Sequence, residues 1–403
     1  MERTTTRRFA TGVVYGSALV QGLSVVSYPA SAEVLKARLS DAEYGSIFLV
    51  QTLATLLGSS AGSRLGQRAL GGSVLSAALV ASAAAELLLW LAPQLGVAAA
   101  LSGAFALGAG FGLAAAPLNG QPGRLFPARA AVALVALHTV LAAGFAIGPA
   151  LVSAASAAGS WSIVPAAIGL MALVLAGLAR MSLAEAGADA APVADGGGRT
   201  QARGSFAFAV IVVLYALSEG TFANWCTIYL REERGVPAPL AASALSSFWC
   251  ALALGRLAVS ALLSRFSAES IWRCLPLGMI GAFLWLPAVQ SAAAGIAVFG
   301  LAGLACSAFF PLSVSLAGQR DPAGAARAAS QLTAALMLGV GVGSFAIGPL
   351  REGHSLAALY RASAVYPALA LALCGWLTLR RPGRSPASSS NARADQRPST
   401  SRM

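Results

Sequence analysis

Charge is what this 403-residue sequence has least of. Only 10% of the residues are Asp, Glu, Lys or Arg, whereas a soluble domain carries about 25%. Hydrophobic residues make up 57% of the chain, and the mean hydropathy is +0.73. This balance excludes a soluble globular protein. It predicts an all-α membrane protein, because apolar stretches of about 20 residues cross a bilayer as helices that satisfy their own backbone hydrogen bonds.

Lysine, histidine and cysteine are scarce as well. The chain has one lysine, Lys36, two histidines, His138 and His354, and five cysteines. These numbers supply no nucleophile–base–metal set, so we predict that the protein is not an enzyme and holds no metal. No phosphate-binding P-loop is present either, so we predict no cofactor and no direct drive by ATP. Because the cysteines lie within or at the ends of apolar stretches, we interpret them as small core residues.

Apolar stretches long enough to span a membrane number twelve, in two sets of six. The predicted spans are 9–30, 43–63, 71–93, 97–118, 130–154, 160–180, 205–229, 238–262, 273–290, 293–316, 328–350 and 357–379. We therefore predict an N-terminal six-helix bundle over 1–180 and a C-terminal one over 205–379. A flexible cytoplasmic linker is predicted over 181–204, and a disordered cytoplasmic tail rich in Ser, Pro and Arg over 380–403.

The two halves share a five-residue sequence, FAIGP, at 145–149 and at 345–349. Each copy follows a Pro-Leu pair and then ARAA, in the same order, which indicates that the halves are versions of one unit. Glycine permits close helix approach, and proline frees a backbone carbonyl and bends a helix. The hinge or gate residues predicted on this basis are Gly144, Gly148, Pro149, Gly348 and Pro349.

The distribution of Arg and Lys predicts the orientation. If the N-terminus is cytoplasmic, twenty of the 27 basic residues fall on the cytoplasmic side and six on the other, with Arg256 inside a span. This asymmetry follows the positive-inside rule and places both termini in the cytoplasm. It also accounts for the net charge of +12 without a nucleic-acid partner. The abundance of Ala, Gly and Arg favours a GC-rich bacterial genome, and hence the bacterial inner membrane.

The loop after the second span reads SSAGSRLGQR, from Ser59 to Arg68. It resembles Gly-x-Leu-x-Asp-Arg-x-Gly-Arg-Arg, the pattern that the major facilitator superfamily carries there. Arg64, Gly66 and Arg68 match, and Ser63 stands at the position of the Asp. Twelve spans in two repeated halves resemble the same superfamily. The resemblance implies the major facilitator fold and transport by alternating access, and we expect a monomer.

Within that superfamily the chain resembles most the fucose-permease-like branch of sugar/proton symporters. The fourth span ends in GAGFGLAAAPLNG, which contains Asn119, and the fifth span has His138. The other segments that carry the resemblance are LYALSEGTFANWCTIYL in the seventh span and SSFWCALALGRL in the eighth. That branch is expected to use carboxylates in its first and fourth spans for proton coupling. Here the first span offers Gln21 and the fourth offers no acid, which argues against that route and against fucose.

Glu219 is the strongest candidate for transport chemistry. It lies near the middle of the seventh span, four residues after Tyr215 and on the same helix face. A charged side chain at membrane depth costs about 2.5–3.5 kcal/mol, so such residues are commonly functional. The predicted solute-binding residues are Gln21, Asn119, His138, Glu219, Asn224, Trp225 and Gln331, with Glu219 and His138 also predicted to couple protons. Each also has a structural interpretation, as a helix–helix hydrogen bond or an interfacial aromatic residue.

Two further charged residues are predicted inside spans. Arg256 lies four to six residues from the inner end of its span, so we expect it to reach the cytoplasm or to form a gate pair. Glu86 lies in the outer half of the third span, which we expect to be peripheral in the resembled fold, and we expect it to have a structural or interfacial role.

The sequence thus predicts a secondary active transporter of a small polar, sugar-like solute, with the bilayer as its surroundings. One alternative is a proton-driven exporter of drugs or metabolites. Another is a non-transporting or lipid-handling protein on the same fold.

Overall fold

The computed structural model describes residues 2–66, 71–183, 202–322 and 324–379. Within these ranges the regular structure is helical throughout. The helices are α1 (Glu2–Ala30), α2 (Ala32–Lys36), α3 (Asp41–Gly66), α4 (Gly71–Leu95), α5 (Val97–Leu125), α6 (Ala130–Ala157), α7 (Ile163–Ser182), α8 (Ala202–Ile228), α9 (Ala238–Leu262), α10 (Ala268–Trp285), α11 (Ala292–Cys306), α12 (Phe309–Arg320), α13 (Ala325–Leu350), α14 (Leu356–Ser363) and α15 (Val365–Leu379). A π-helical turn, Tyr229–Glu233, extends α8.

Twelve membrane spans are present among the described residues, which confirms the predicted number. The first combines α1 and α2, the tenth α11 and α12, and the twelfth α14 and α15. The ninth begins at Ala268, five residues earlier than predicted, because Ser267 accepts a hydrogen bond from the Ser270 amide and caps α10 ahead of the polar Arg273. The predicted tail and most of the predicted linker, residues 184–201, lie outside the described ranges.

The helix packing repeats between the halves. The pairs α1–α6, α3–α5 and α4–α7 of the first half correspond to α8–α13, α9–α11 and α10–α15 of the second. The halves meet along α3–α13 and α6–α9. These two contacts are equivalent, because α3 corresponds to α9 and α6 corresponds to α13 in the repeat. This arrangement confirms two pseudo-repeated six-helix bundles.

The tenth span is broken between Cys306 and Phe309. Pro311 has no amide hydrogen, so the carbonyl of Ser307, four residues earlier, has no helical donor. The predicted Pro-Leu landmark therefore marks a break in this span and leaves a polar backbone group inside the bundle.

The two FAIGP copies serve different contacts. In the first half, a Cβ on Gly144 would lie 2.9 Å from Gly22 Cα, and one on Gly148 would lie 2.5 Å from Val26, so α6 rests directly on α1. In the second half, a Cβ on Gly348 would lie 2.5 Å from the carbonyl of Asp41 at the start of α3. The second copy therefore joins the two halves. Pro149 and Pro349 both lie inside continuous helices, and their role as hinges stays a prediction.

Contacts between the halves concentrate at one end of the molecule. We call this the sealed end (residues 29–45, 224–240 and 345–356) and the opposite one the open end. Three hydrogen bonds cross the sealed end: Tyr44 Oη donates to Asn224 O at 3.0 Å, Ser153 Oγ to Pro239 O at 3.0 Å, and Thr227 Oγ1 to Pro29 O at 3.4 Å.

Contacts between the bundles continue from the sealed end to the middle of the spans. The rings of Phe145 and Trp249 meet at 4.9 Å between α6 and α9, and Thr52 Oγ1 reaches Met337 O at 3.3 Å between α3 and α13. His138 and Arg256 lie two turns beyond the Phe145–Trp249 contact, and Gln331 lies beyond Met337. All three side chains are exposed. The space between α3, α6, α9 and α13 on this side is called the open cleft below.

The cysteine prediction was wrong for two of the five residues. Cys226, Cys306 and Cys374 are buried, but Cys250 and Cys274 are exposed on α9 and α10. A thiol is apolar enough to face lipid, so an apolar span does not reveal which face a cysteine occupies.

Replacing Gly348 by Leu is expected to push α3 away from α13, since the new side chain has no room at the Asp41 carbonyl. We expect a loss of about 1–3 kcal/mol of stability, typical of overpacking. Faster hydrogen–deuterium exchange of amides 41–48 should localise the effect. Gly353→Leu is the matched control, because a Cβ there meets nothing within 4 Å. Equal exchange in both variants would contradict the packing described.

Candidate functional site

A polar cluster lies at the centre of the protein, where α8 faces the break in the tenth span. Tyr215 Oη lies against the carboxyl of Glu219 and donates to the Cys306 carbonyl at 3.0 Å. The Tyr215 ring stacks on Phe309, with 5.1 Å between the centroids. Tyr215 has one hydroxyl hydrogen for two oxygen neighbours. Both contacts are satisfied when Glu219 carries a proton and donates to Tyr215. The hydrogen-bond pattern of Tyr215 therefore depends on whether Glu219 is charged.

Arg256 extends this cluster from α9. Its Nε donates to the Ser307 carbonyl at 3.1 Å, the backbone group that Pro311 leaves without a helical donor. We expected Arg256 to reach the cytoplasm or to form a gate pair. In this structure it caps the helix break, because an unpaired carbonyl inside a membrane protein attracts a charged donor, and its predicted gate role stays a prediction. Its guanidinium also lies within electrostatic range of Glu219.

His138 contributes the only part of the cluster that comes from the first half. It projects from α6 toward α9, with an exposed side chain that interacts electrostatically with Arg256. The set of Glu219, Tyr215, Arg256 and His138 therefore spans both bundles. Such a set changes its internal distances whenever the bundles move relative to each other.

Two other predicted residues lie nearer to the open end. Asn119 is exposed close to the end of α5, and Gln331 is exposed in the second turn of α13. Both present amide groups that can donate and accept hydrogen bonds. Their predicted contact with a solute stays a prediction.

Three predicted residues are placed away from the open cleft. Gln21 is fully buried inside the first bundle, where its Nε2 donates to Ser82 Oγ at 3.1 Å. Asn224 Nδ2 donates to Ser344 Oγ at 2.7 Å, and Trp225 Nε1 donates to Ser344 O at 2.8 Å. Trp225 also packs edge-on against Tyr44 across the halves. Asn224 and Trp225 thus belong to the sealed end in this conformation.

The loop motif after the second span lies at the open end. Arg64 is exposed in the last turn of α3, which ends at Gly66, and Arg68 lies outside the described residues. Ser63, at the position where the resembled pattern has Asp, donates to its own helix at Ser59 O, 2.9 Å away. Its hydroxyl is engaged within α3.

The sealed end holds an ion network that the sequence analysis missed. Arg351 contacts Glu233 at 2.5 Å, Glu232 at 2.6 Å and Asp41 at 3.6 Å, and Asp41 also pairs with Lys36 at 2.7 Å. A separate pair joins Arg231 to Glu33 at 2.9 Å. Asp41, Lys36 and Glu33 come from the first half and the others from the second, so both groups of ion pairs cross the interface.

The network is held in a defined geometry. Glu233 accepts hydrogen bonds from the amides of Leu356 and Ala357 at the start of α14, as well as from Arg351. Burial on its own lowers the pKa of Arg351, but its hydrogen bonds and charge interactions with the surrounding carboxylates outweigh burial and raise that pKa. Arg351 is therefore fixed in its charged form. The sequence signal for this network is the adjacent pair Glu232-Glu233 beside a predicted outer loop. The orientation rule counts only Arg and Lys, so it does not use this pair.

Comparison with known proteins gives one family. The sequence model of the Major Facilitator Superfamily matches residues 10–344. An uncharacterized transporter of Sinorhizobium fredii, y4wD, is 25% identical over 170 residues, which is 42% of this chain and 45% of the relative. The chain thus matches less than half the length of that protein.

Solved structures share the fold. They include the nucleoside transporter NupG (TM-score 0.72, 12% identity, 93% of this chain and 100% of that one). A D-xylose-proton symporter has a TM-score of 0.70 at 14% identity, covering 92% and 96% of the two chains. The E. coli fucose:proton symporter FucP has a TM-score of 0.59 at 16% identity, covering 92% and 98%.

Replacing Arg351 by Gln is expected to loosen the sealed end, because three carboxylates lose their shared cation. The cost should be roughly 1–3 kcal/mol, between the values for surface and buried pairs. Spin labels at the exposed positions Arg38 and Glu352, one from each half, should report a longer and broader distance distribution. Cys250 and Cys274 are replaced by Ala in this background, since they are the exposed thiols.

The control for this variant is Arg361→Gln, which removes an exposed charge at the same end. The raised pKa also sets the pH dependence. The contribution of Arg351 to the stability of the folded protein is complete below its ordinary pKa and is lost only as the pH rises through the higher folded pKa. Arg351 should therefore cause no change in stability between about pH 6 and pH 9. An unchanged distance distribution in Arg351→Gln would contradict a sealing role.

Tyr215→Phe is expected to destabilise the protein by about 1–3 kcal/mol, because the Cys306 carbonyl and Glu219 both lose a buried partner. The matched control is Tyr15→Phe, which removes one bond, from Tyr15 Oη to Ala133 O at 2.7 Å, without involving a carboxyl. Thermal unfolding should show the larger loss for Tyr215→Phe. An equal loss would mean that Glu219 does not depend on Tyr215.

Proposed function

Because the chain belongs to the Major Facilitator Superfamily, we propose that it carries a small, hydroxyl-rich polar solute through the open cleft by alternating access. The observation that supports this best is the central cluster of Glu219, Tyr215, Arg256 and His138, which combines contributions from both bundles. A solute bound there contacts both moving parts, so its binding energy can favour one arrangement over the other.

The chemistry of the cluster favours a polar solute over a hydrophobic one. Glu219 and Tyr215 offer acceptor and donor oxygens, Arg256 offers several N–H donors, and His138 offers a ring nitrogen of either kind. A sugar-like molecule matches this inventory because each hydroxyl both donates and accepts. The transported solutes named for NupG and for the xylose symporter, a nucleoside and a pentose, carry hydroxyl groups of this type.

The membrane orientation proposed from the sequence indicates which side of the membrane the open cleft faces. With both termini cytoplasmic in a bacterial inner membrane, the sealed end faces outward and the open cleft faces the cytoplasm. The bundles over 1–180 and 205–379 are then the two rocking units, joined by a cytoplasmic linker, and one chain suffices for the path.

Proton coupling is proposed to act through Glu219. When Glu219 is protonated, it donates to Tyr215, and Arg256 stays on the Ser307 carbonyl. When Glu219 loses the proton, its charge attracts the nearby Arg256 away from Ser307, and His138 experiences a different field. The two states differ in what they present to the cleft, which links solute binding to the proton.

Thermal unfolding of the purified protein, at two pH values and against sugars, polyols, nucleosides, organic acids and cationic drugs, tests this proposal. A ligand at 100 times its dissociation constant should stabilise the protein by about 2.7 kcal/mol. We expect a shift with a hydroxyl-rich solute that is lost in Glu219→Gln and in Arg256→Gln. Glu43→Gln is the control, because Glu43 bonds to Ser40 in a turn at the sealed end.

The other outcomes separate the alternatives. A shift with hydrophobic cations alone would favour a proton-driven exporter and overturn the polar-solute proposal. No shift with any class, in a protein that remains folded, would favour a non-transporting or lipid-handling role.

A further inference from the structure

A row of small polar side chains runs along one face of α1 inside the first bundle. It consists of Ser17, Gln21, Ser24 and Ser27 of α1 and of Ser31, which directly follows α1, each 0–1% exposed. Their spacing of three or four residues keeps them on one side of the helix. Opposite them on α4 lie Ser82, bonded to Gln21, and Glu86, bonded to Ser27. This row is distinct from the open cleft and from the central cluster.

Glu86 is fully buried in this row without a cationic partner among the described residues. Tyr28 of α1, whose hydroxyl donates to Ala85 O at 3.1 Å, is the titratable group that faces it. From α7, Gly169 approaches it with backbone only. Burying an unpaired carboxylate costs far more than burying a carboxylic acid, so this environment selects the neutral form.

The hydrogen-bond partners around Glu86 are compatible with this form. Ser27 Oγ lies 2.7 Å from the Ser24 carbonyl and 3.0 Å from Glu86 Oε1, yet it has a single hydrogen. The carbonyl can only accept, so Ser27 serves both contacts when Glu86 is protonated and donates to Ser27. One proton more or less on Glu86 therefore rearranges the bonds along α1.

A small pocket lies where this row meets the sealed end. It has a volume of about 40 Å³, which is room for water, and Ser31 and Trp161 line its inner part. Glu33 and Arg231, both partly exposed, line it toward the surface. Trp161 Nε1 donates to Ser31 Oγ at 3.0 Å. Ser31 follows Ser27 by four residues, about 6 Å along the helix axis.

We propose that Glu86 is a second proton-binding site, loaded from the sealed end through the row of hydroxyls on α1. The Ser24 hydroxyl faces the Glu86 carboxyl and interacts with it, and Gln21 Oε1, a buried oxygen without a hydrogen-bond partner among the described residues, provides a further acceptor along this route. At the sealed end the path for the solute is closed, whereas the proposed path for the proton reaches the surface there. A proton can thus be taken up from one face while the cleft is open to the other. The site stands independently of the identity of the solute.

Infrared difference spectroscopy of the full-length protein near neutral pH tests the protonation state. We expect a carbonyl stretch of a buried, protonated carboxylic acid that is missing in Glu86→Gln and retained in Glu219→Gln. Gln is nearly isosteric and keeps a hydrogen bond to Ser27, so the variant should fold, and its thermal unfolding checks this.

If Glu86→Gln retains every carbonyl band of the wild-type protein, Glu86 is ionised and the proposal is overturned. Stabilisation of the wild-type protein by Na⁺ over choline, abolished in Glu86→Gln, would assign the same oxygens to a cation and would overturn it equally.

The route is tested by hydrogen–deuterium exchange of the same band. Replacing Ser31 by Val should slow the exchange by about tenfold, the rate equivalent of one lost hydrogen bond. Ser17→Ala is the matched control on the same face, because Ser17 lies on the far side of Gln21 and bonds to its own helix at Val13 O. Slower exchange in Ser17→Ala with none in Ser31→Val would place the route at the open end and refute loading from the sealed end.

Discussion

The guanidinium of Arg351 lies at the centre of the ion pairs that join the two halves at the sealed end. It contacts Asp41 from one half and Glu232 and Glu233 from the other, and the rest of the sealed end depends on this alignment. The surrounding contacts are close glycine approaches and single hydrogen bonds to backbone carbonyls, which are individually weak and need the helices in register. Charge therefore fixes the closure at this end, and small residues allow the helices to reach it. A charge cluster taken out of water is favourable only in good geometry, so small displacements should release it as a unit.

Helix α8 connects that closure to the polar cluster. Its part nearest the sealed end carries Asn224 and Trp225, bonded to Ser344, and continues into the π-helical turn with Glu232 and Glu233. Its middle carries Tyr215 and Glu219, which contact the break of the tenth span. A shift of α8 along its axis would alter both places. At this break, the carbonyls of Cys306 and Ser307 both accept hydrogen bonds from side chains of neighbouring helices.

Sequence reasoning was effective where the bilayer imposes the pattern. Hydropathy predicts twelve spans because lipid demands continuous apolar helices. The repeated FAIGP element predicts that the two halves are versions of one unit, although its two copies pack against different helices. The sequence did not predict which way the side chains point around each helix. Gln21, Asn224 and Trp225 are polar span residues like Glu219, yet they face bundle or interface contacts, and an all-round apolar helix gives no period from which to tell. Contacts such as Asp41–Arg351 join distant parts of the chain that no local pattern relates.

The two ends of the molecule are unequally secured. Ion pairs close one end, whereas at the other end Ser63 stands where the resembled pattern has an acid and bonds to its own helix. Unequal closure of the two ends would favour one arrangement of the unloaded carrier over the other. The apparent dissociation constant measured from the closed face is then raised by the small fraction of molecules open to it, while the constant measured from the open face stays near its intrinsic value. The two faces of the membrane would thus register different half-saturating concentrations for one and the same binding site, although the electrochemical gradients alone would still decide the direction of net flow.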